Sequence, residues 1–199
     1  MFPIFLDLTG KRVVVVGGGA VGMRKLAALL DAGAVVRVVD PRPLSDLPVG
    51  VVHIAEVYRA EHLDGAALAF ACATPEVNAH VVADARVRGV WANAASDPAS
   101  GDFALPAVVR RGDFALAIST GGASPSLARR VREKLEAEFD ETFAEWVRVL
   151  ADVRRDVLAT VRDEARRREL LDGFAAWEWL ARLRAEGAEA VLAAMKAML

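Results

Sequence analysis

The sequence predicts an α/β fold, a doubly wound and mainly parallel sheet with a helical carboxyl-terminal part. Three observations carry that expectation. A four-valine run, Val13-Val14-Val15-Val16, enters the glycines Gly17-Gly18-Gly19 and is followed by an apolar helical pattern. Strand-like and helix-like stretches then alternate to about residue 92, as in sheets whose crossovers are helices. From Ser126 onward glycine nearly vanishes, with only Gly173 and Gly187 left, and apolar residues recur at spacings of three and four.

The valine run is β-branched and reads as a buried parallel strand. Gly17, Gly19 and Gly22 satisfy G-x-G-x-x-G. The first glycine permits a sharp turn off the strand, the second lets a pyrophosphate approach the backbone, and the third lets the helix pack close to the strand. The N–H groups of the first helical turn, at Ala20, Val21 and Gly22, then face the phosphates, and the helix dipole favours their charge. The helix is expected over about Val21 to Ala32, with a left-handed cap at Gly33. A second strand, Val35 to Val39, ends at Asp40. That spacing suits the carboxylate that bonds the adenosine ribose 2′-hydroxyl, so NAD is expected over NADP. Arg42 works against that preference, and Pro41 to Pro48 is a loop suited to wall an adenosine pocket.

Composition narrows the classes. The 199 residues are 54% hydrophobic, with a net charge of −2, three histidines and one cysteine. Such a chain has no generally nucleic-acid-binding surface and no intrachain disulfide. Cys72 lies in an apolar run and reads as a small core residue. His53, His62 and His80 have no metal-cage spacing. No apolar stretch reaches the ~18 residues of a membrane span, and no signal peptide pattern opens the chain. The expectation is a cytoplasmic chain with neither nucleic-acid nor membrane partners and no resident metal.

Met1 to Leu8 is apolar and expected to pack as an edge or leader. Strands are expected at Val51–Ile54 and Leu68–Ala73, with a short helix or loop at Tyr58–Leu63 between them. A helix over Glu76–Arg88 carries the stripe Val77, Val81, Val82 and Ala85. Gly89 stops it, and Val90–Ala92 begins another strand. The small polar stretch Asn93 to Gly101 follows that strand. Ligand crevices of open α/β sheets lie there, so it is a site candidate; the plain alternative is a solvated Asp-Pro turn.

Phe103–Leu105, Val108–Val109 and Phe114–Ile118 read as further strands, with Arg110-Arg111-Gly112-Asp113 as a charged turn. A second glycine-rich loop, Ser119 to Ser124, then enters a helix, with Ser124 as N-cap and Pro125 as first helical residue. The N–H groups beyond Gly121 and Gly122 form a second anion site, and Arg129 and Arg130 follow. The alternative is a capped helix start with solvated arginines. Leu127, Val131, Leu135 and Phe139 line a face that continues through Phe143, Trp146, Val147, Leu150, Val153, Val157 and Val161. Arg166-Arg167-Arg168 ends or interrupts that helix. Phe174, Trp177, Leu180 and Leu183 give another helix, and Ala188–Leu199 a last one. The tail reads as lacking a compact core of its own, which implies packing against a second copy.

Taken together, Pro3-Ile4-Phe5, the stretch Val16 to Lys25, Asn78 after Pro75-Glu76-Val77, Asn93 to Pro98, Phe103 to Ala107 and Ser119 to Arg129 make the chain similar to the precorrin-2 dehydrogenase family of sirohaem biosynthesis. That family includes the amino-terminal half of the fused sirohaem synthase. The resemblance implies an NAD-binding Rossmann domain (1–107), a dimerisation region (108–141) and a small helical domain (142–199). It implies NAD-dependent oxidation of precorrin-2, a tetrapyrrole, to sirohydrochlorin by a homodimer. Some relatives also insert ferrous iron. The family's acid lies in an Asn-x-x-Asp-type loop; Ser96 stands at its position here and Asp97 follows. The family often has Ala-Thr-Asp-Asp before the Pro75 position, where this chain has Ala71-Cys72-Ala73-Thr74.

The oxidation removes a hydride equivalent and a proton, and a positioned carboxylate takes the proton. That role falls to Asp97, with Ser96 beside it. Arg110, Arg111, Arg129 and Arg130, with Gly121, Gly122 and Ser124, are the candidates to hold the substrate's eight carboxylates by charge-assisted bonds. Two alternatives stand: a bifunctional dehydrogenase and ferrochelatase, and a non-catalytic NAD-binding redox sensor.

Overall fold

The computed structural model describes residues 1–97 and 99–199; Pro98, quoted above in the polar loop, lies outside the described residues. The chain divides into two compact units, Met1–Leu105 and Pro106–Leu199.

The first unit is a Rossmann-type doubly wound sheet. Its strands are β1 (Arg12–Val16), β2 (Val35–Val39), β3 (Val52–Ile54), β4 (Leu68–Ala71) and β5 (Trp91–Ala94), in the order β3-β2-β1-β4-β5, all paired in parallel. Helices α1 (Ala20–Asp31) and α2 (Pro75–Arg88) are the long crossovers, and Ala60–Leu63 is a short 3₁₀ turn. Because β1 is central, alternate valines serve opposite faces. Val13 and Val15 join Leu26, Leu29, Val36, Val38 and Phe70 under α1. Val14 and Val16 join Val81, Val82, Ala85, Ala69 and Ala92 under α2. All four valines are sealed from solvent, which explains the unbroken apolar run. Cys72 is half-buried beside the α1-side cluster, and burial pushes its thiol up.

Two expectations about this unit are corrected. Met1, Phe2 and Phe5 stay exposed, and only Leu8 of the leader reaches the core. Phe103–Leu105 is not a strand. Asp102 borders β5 instead: its N–H donates to Ala92 O at 2.7 Å and its carboxylate accepts the Ala92 N–H at 2.8 Å. A side chain thus takes the place of a ladder, and the Phe103 ring turns edge-on to Phe70, 5.5 Å between centroids.

The second unit pairs β6 (Ala107–Arg111) and β7 (Phe114–Ile118) antiparallel, followed by α3 (Pro125–Glu138). Then come α4 (Thr142–Thr160), α5 (Glu164–Phe174), α6 (Trp177–Glu186) and α7 (Ala188–Lys196). Arg110 and Arg111 are strand residues; only Gly112 and Asp113 turn the hairpin, with Gly112 at φ +58°. The apolar face that runs past Phe139 is broken at Asp140, whose carboxylate accepts the Thr142 N–H at 3.1 Å. Arg166-Arg167-Arg168 lies inside α5 and ends nothing. The helix break comes earlier, where Asp163 caps α5 by accepting the Arg166 N–H at 2.7 Å. Phe174 and Trp177 fall on two helices, not one.

The expectation that the tail lacks a core is also corrected. Phe143, Trp146, Val149, Val153, Val157, Leu170, Phe174, Leu180, Leu183, Val191 and Met195 form one buried cluster. Three- and four-residue spacing read along one helix describes equally well the inward faces of four helices folded onto each other.

Candidate active site

At the β1–α1 corner each glycine sits in a different physical situation. Gly17 has φ +101°, and a Cβ there would stand 2.5 Å from Cys72 O. A Cβ on Gly22 would stand 2.0 Å from Gly17 O, so the helix is seated directly on the turn. A Cβ on Gly19 would meet nothing within 4 Å. The start of α1 has no side-chain cap and no acid in its first turn, and the first backbone bond into the helix is Met23 N–H to Gly19 O. Ala20 and Val21 are exposed. Uncapped N–H donors, the positive end of a 12-residue helix and open space at Gly19 fit a pyrophosphate.

Asp40 follows β2 and is buried. Its Oδ2 accepts the Gly18 N–H at 2.8 Å and the Arg42 guanidinium at 2.9 Å; its Oδ1 accepts the Arg42 backbone N–H at 2.9 Å. These bonds, led by the guanidinium, hold the carboxyl well below the usual carboxylate range. Asp40 is therefore ionised at every working pH, as a ribose hydroxyl acceptor requires. It also ties the second strand to the glycine corner. Arg42 spreads its fork over that carboxylate from solvent, next to the exposed Pro41.

The carboxyl ends of β1, β4 and β5 meet. Cys72 N–H donates to Val16 O at 2.7 Å, and Ala95 N–H to Ala71 O at 3.0 Å. Asn93, expected to open the small polar loop after the strand, belongs to β5 and is buried, with its amide donating to Phe103 O at 2.9 Å. The turn proper begins at Ala95. Ser96 and Asp97 are exposed there. Asp97 Oδ1 accepts the Ala99 N–H at 3.2 Å, and Ser96 Oγ accepts a 2.9 Å bond from Asn78. Asn78, named above only among the residues that carry the resemblance, is assigned no role at the site by the sequence. It is 2% exposed and lies three and four residues before Val81 and Val82, a polar residue on the buried stripe of α2.

The Ser119–Ser124 corner is closed on itself. Ser124 Oγ accepts the Leu127 N–H at 3.2 Å, as an N-cap does. Thr120 Oγ1 accepts the Ser124 N–H, Ser119 Oγ accepts the Gly121 N–H, and Thr120 O accepts the Ala123 N–H, each at 3.1 Å. Gly121 and Gly122 have positive φ, +63° and +87°, with open space around both. Arg111 is largely buried, its guanidinium donating to Arg110 O and Glu136 O and lying 3.2 Å from Glu141. Arg129 is exposed and reaches Glu133 at 3.9 Å. Among the described residues, Arg110 and Arg130 make no ion pair. Groups of three or more His, Cys, Asp or Glu able to hold a metal are likewise absent among the described residues.

Residues 4–107, more than half the chain, match a family model described as NAD(P)-binding. The chain belongs to that NAD(P)-binding family. Residues 111–138 match a second model, described as the central part of a sirohaem biosynthesis protein. The siroheme synthase of Pseudomonas fluorescens (strain Pf0-1) is 38% identical over 182 residues, covering 88% of this chain and 38% of that protein. The siroheme synthase of Methylococcus capsulatus (strain Bath) is 38% identical over 202 residues, covering 96% and 42%. The chain thus spans about two fifths of the length of the curated relatives it matches. A solved structure, SirC, precorrin-2 dehydrogenase, superposes with a TM-score of 0.78 at 25% identity, covering 98% of this chain and 99% of that one.

Proposed function

We propose that this chain is an NAD-dependent precorrin-2 dehydrogenase, converting precorrin-2 to sirohydrochlorin with release of a proton. The observation that carries the reading is the uncapped start of α1 above glycines that backbone contacts require at Gly17 and Gly22 and that open space leaves accessible at Gly19. Likeness over nearly the whole of a precorrin-2 dehydrogenase, SirC, supports the substrate.

The bound dinucleotide supplies the hydride acceptor. The N–H groups of Ala20, Val21 and Gly22 hold its pyrophosphate. Asp40 accepts from the adenosine ribose hydroxyl; an ionised carboxylate there repels a 2′-phosphate, so NAD is preferred. Asp97 takes the proton that leaves with the hydride: it is exposed, and its carboxylate is oriented by the Ala99 N–H. The substrate carboxylates are held by Arg110 and Arg130, which make no ion pair among the described residues, and by Arg129, whose contact with Glu133 is long. Gly121, Gly122 and Ser124 shape the turn that leads into the helix of Arg129 and Arg130. Arg111 serves the fold of its own unit more than the substrate.

The same reading makes the protein a cytoplasmic homodimer. Its support is local: β6 and β7 are a lone two-stranded sheet, marginal by itself, and the 14-residue α3 buries only Ala128 while Leu127 is exposed. Analytical ultracentrifugation should give twice the chain mass; a monomer at micromolar concentration contradicts the dimer.

The test is absorbance-monitored conversion of precorrin-2 by the purified chain. Conversion with NAD that is much slower with NADP is the expected result. No conversion with either overturns the reading. Sirohydrochlorin with ferrous iron, with and without the protein, decides the chelatase activity separately.

A further inference from the structure

The Asn78 amide has a fixed orientation. The Ala73 N–H lies 2.8 Å from Asn78 Oδ1, and a backbone N–H can only donate, so that atom is the carbonyl oxygen. The other arm is therefore the NH₂, which donates to Ser96 Oγ at 2.9 Å and to Ala73 O at 3.3 Å. Because Ser96 Oγ accepts, its own proton is not spent on Asn78. Among the described residues no acceptor takes that proton, and Ser96 is exposed in the turn after β5.

The location gives this bond its meaning. Ala73 belongs to the turn after β4, whose Cys72 carbonyl lies against Gly17. Asn78 thus staples the β4 turn, next to the glycine corner, to the turn after β5. Both border the crevice at the carboxyl ends of the strands, where ligands of such sheets bind.

We infer that Asn78 is a positioning residue that makes the Ser96 hydroxyl a hydrogen-bond donor to an acceptor oxygen of a bound ligand. Two ligands carry such an oxygen, the nicotinamide carboxamide of the dinucleotide and a carboxylate of the tetrapyrrole. The inference rests on the dehydrogenase reading for the tetrapyrrole source only. It separates two neighbours that look alike as candidates: Ser96 binds, and Asp97 remains the base.

The test uses Ser96→Ala, Asn78→Asp and the double variant. A carboxylate at position 78 still accepts the Ala73 N–H, but it also accepts from Ser96, turning the hydroxyl proton inward. NAD and sirohydrochlorin are titrated separately into each protein, with melting curves in parallel. Expected is a rise in the dissociation constant of one of the two ligands of about fivefold to tenfold, the size of one hydrogen bond to a ligand. The rise is equal in both single variants and no larger in the double variant, and Ser96→Ala melts like wild type. In Asn78→Asp alone, the loss grows as pH rises and the new carboxyl ionises. Which ligand responds identifies the acceptor. Ser96→Ala binding both ligands as tightly as wild type overturns the inference, and so do effects that multiply in the double variant. Failure of wild type to bind sirohydrochlorin sinks the tetrapyrrole reading, while the NAD titration still decides the coupling.

Discussion

The two glycine-rich corners, Gly17–Gly22 and Ser119–Ser124, read alike in sequence and differ in construction. In the first, glycine is demanded by backbone at less than 3 Å from where a Cβ would stand at Gly17 and Gly22, and the helix start is left without a cap. In the second, the glycines satisfy only a left-handed turn, and Ser119, Thr120 and Ser124 oxygens accept the Gly121, Ala123, Ser124 and Leu127 N–H groups. An anion at the first corner takes the Ala20, Val21 and Gly22 N–H groups, which have no partner among the described residues. At the second it must rely chiefly on arginine side chains. A glycine-rich approach to a helix is therefore not in itself a phosphate cradle; what matters is whether the chain has already spent its donors.

The largest effect should come from Gly22→Ala. The added methyl overlaps Gly17 O, so α1 must lift from the turn. A stability loss of about 3 kcal/mol, at the upper end of overpacking costs, and loss of measurable NAD binding are expected from denaturant titration and calorimetry. Wild-type behaviour would show that the corner yields easily.

Asp40→Asn comes next. Removing the charge should weaken NAD about tenfold, from the loss of charge-assisted bonding, and narrow the preference over NADP. Its pH behaviour has a definite sign. The folded carboxyl titrates below its unfolded value, so its stabilisation is complete above the ordinary carboxylate range and disappears only as pH falls through the depressed value. Between pH 5 and 8 this group should leave the melting temperature flat, and Asp40→Asn should soften only the acid limb.

At the second corner the effects should be smaller. Gly122→Ala, at φ +87°, should cost about 1–2 kcal/mol. Ser124→Ala should cost about 1 kcal/mol, the usual value of an N-cap. Neither should change the NAD dissociation constant. A shift in that constant from either variant would erase the contrast between the corners.

The first unit was legible because its signals are local. A β-branched run, three glycines at fixed offsets and an acid at the end of the next strand lie within 30 residues. Asn78 was not legible as a site residue, because its contact joins side chains 18 positions apart. The available signal was its place on the apolar stripe of α2, where an amide must find partners. The helical part was misread for a related reason. Apolar spacing carries across Asp140 and across Asp163, so the periodicity hides two breaks that these aspartates, each accepting an N–H group at the start of the following helix, mark better than the arginine triplet does. The missing strand at Phe103 failed because Asp102 supplies by side chain the bonds that a strand supplies by backbone.

The most direct test of the central claim, that the Gly17–Gly22 corner holds the dinucleotide by its backbone, is calorimetric titration of NAD into wild type and Gly19→Ala. A Cβ at Gly19 meets nothing in the protein, so folding should be untouched and any loss belongs to the ligand. The account predicts saturable binding to wild type, at least tenfold weaker binding to the variant (roughly 1.4 kcal/mol) and coincident melting curves. Equal affinity in the two proteins would contradict it.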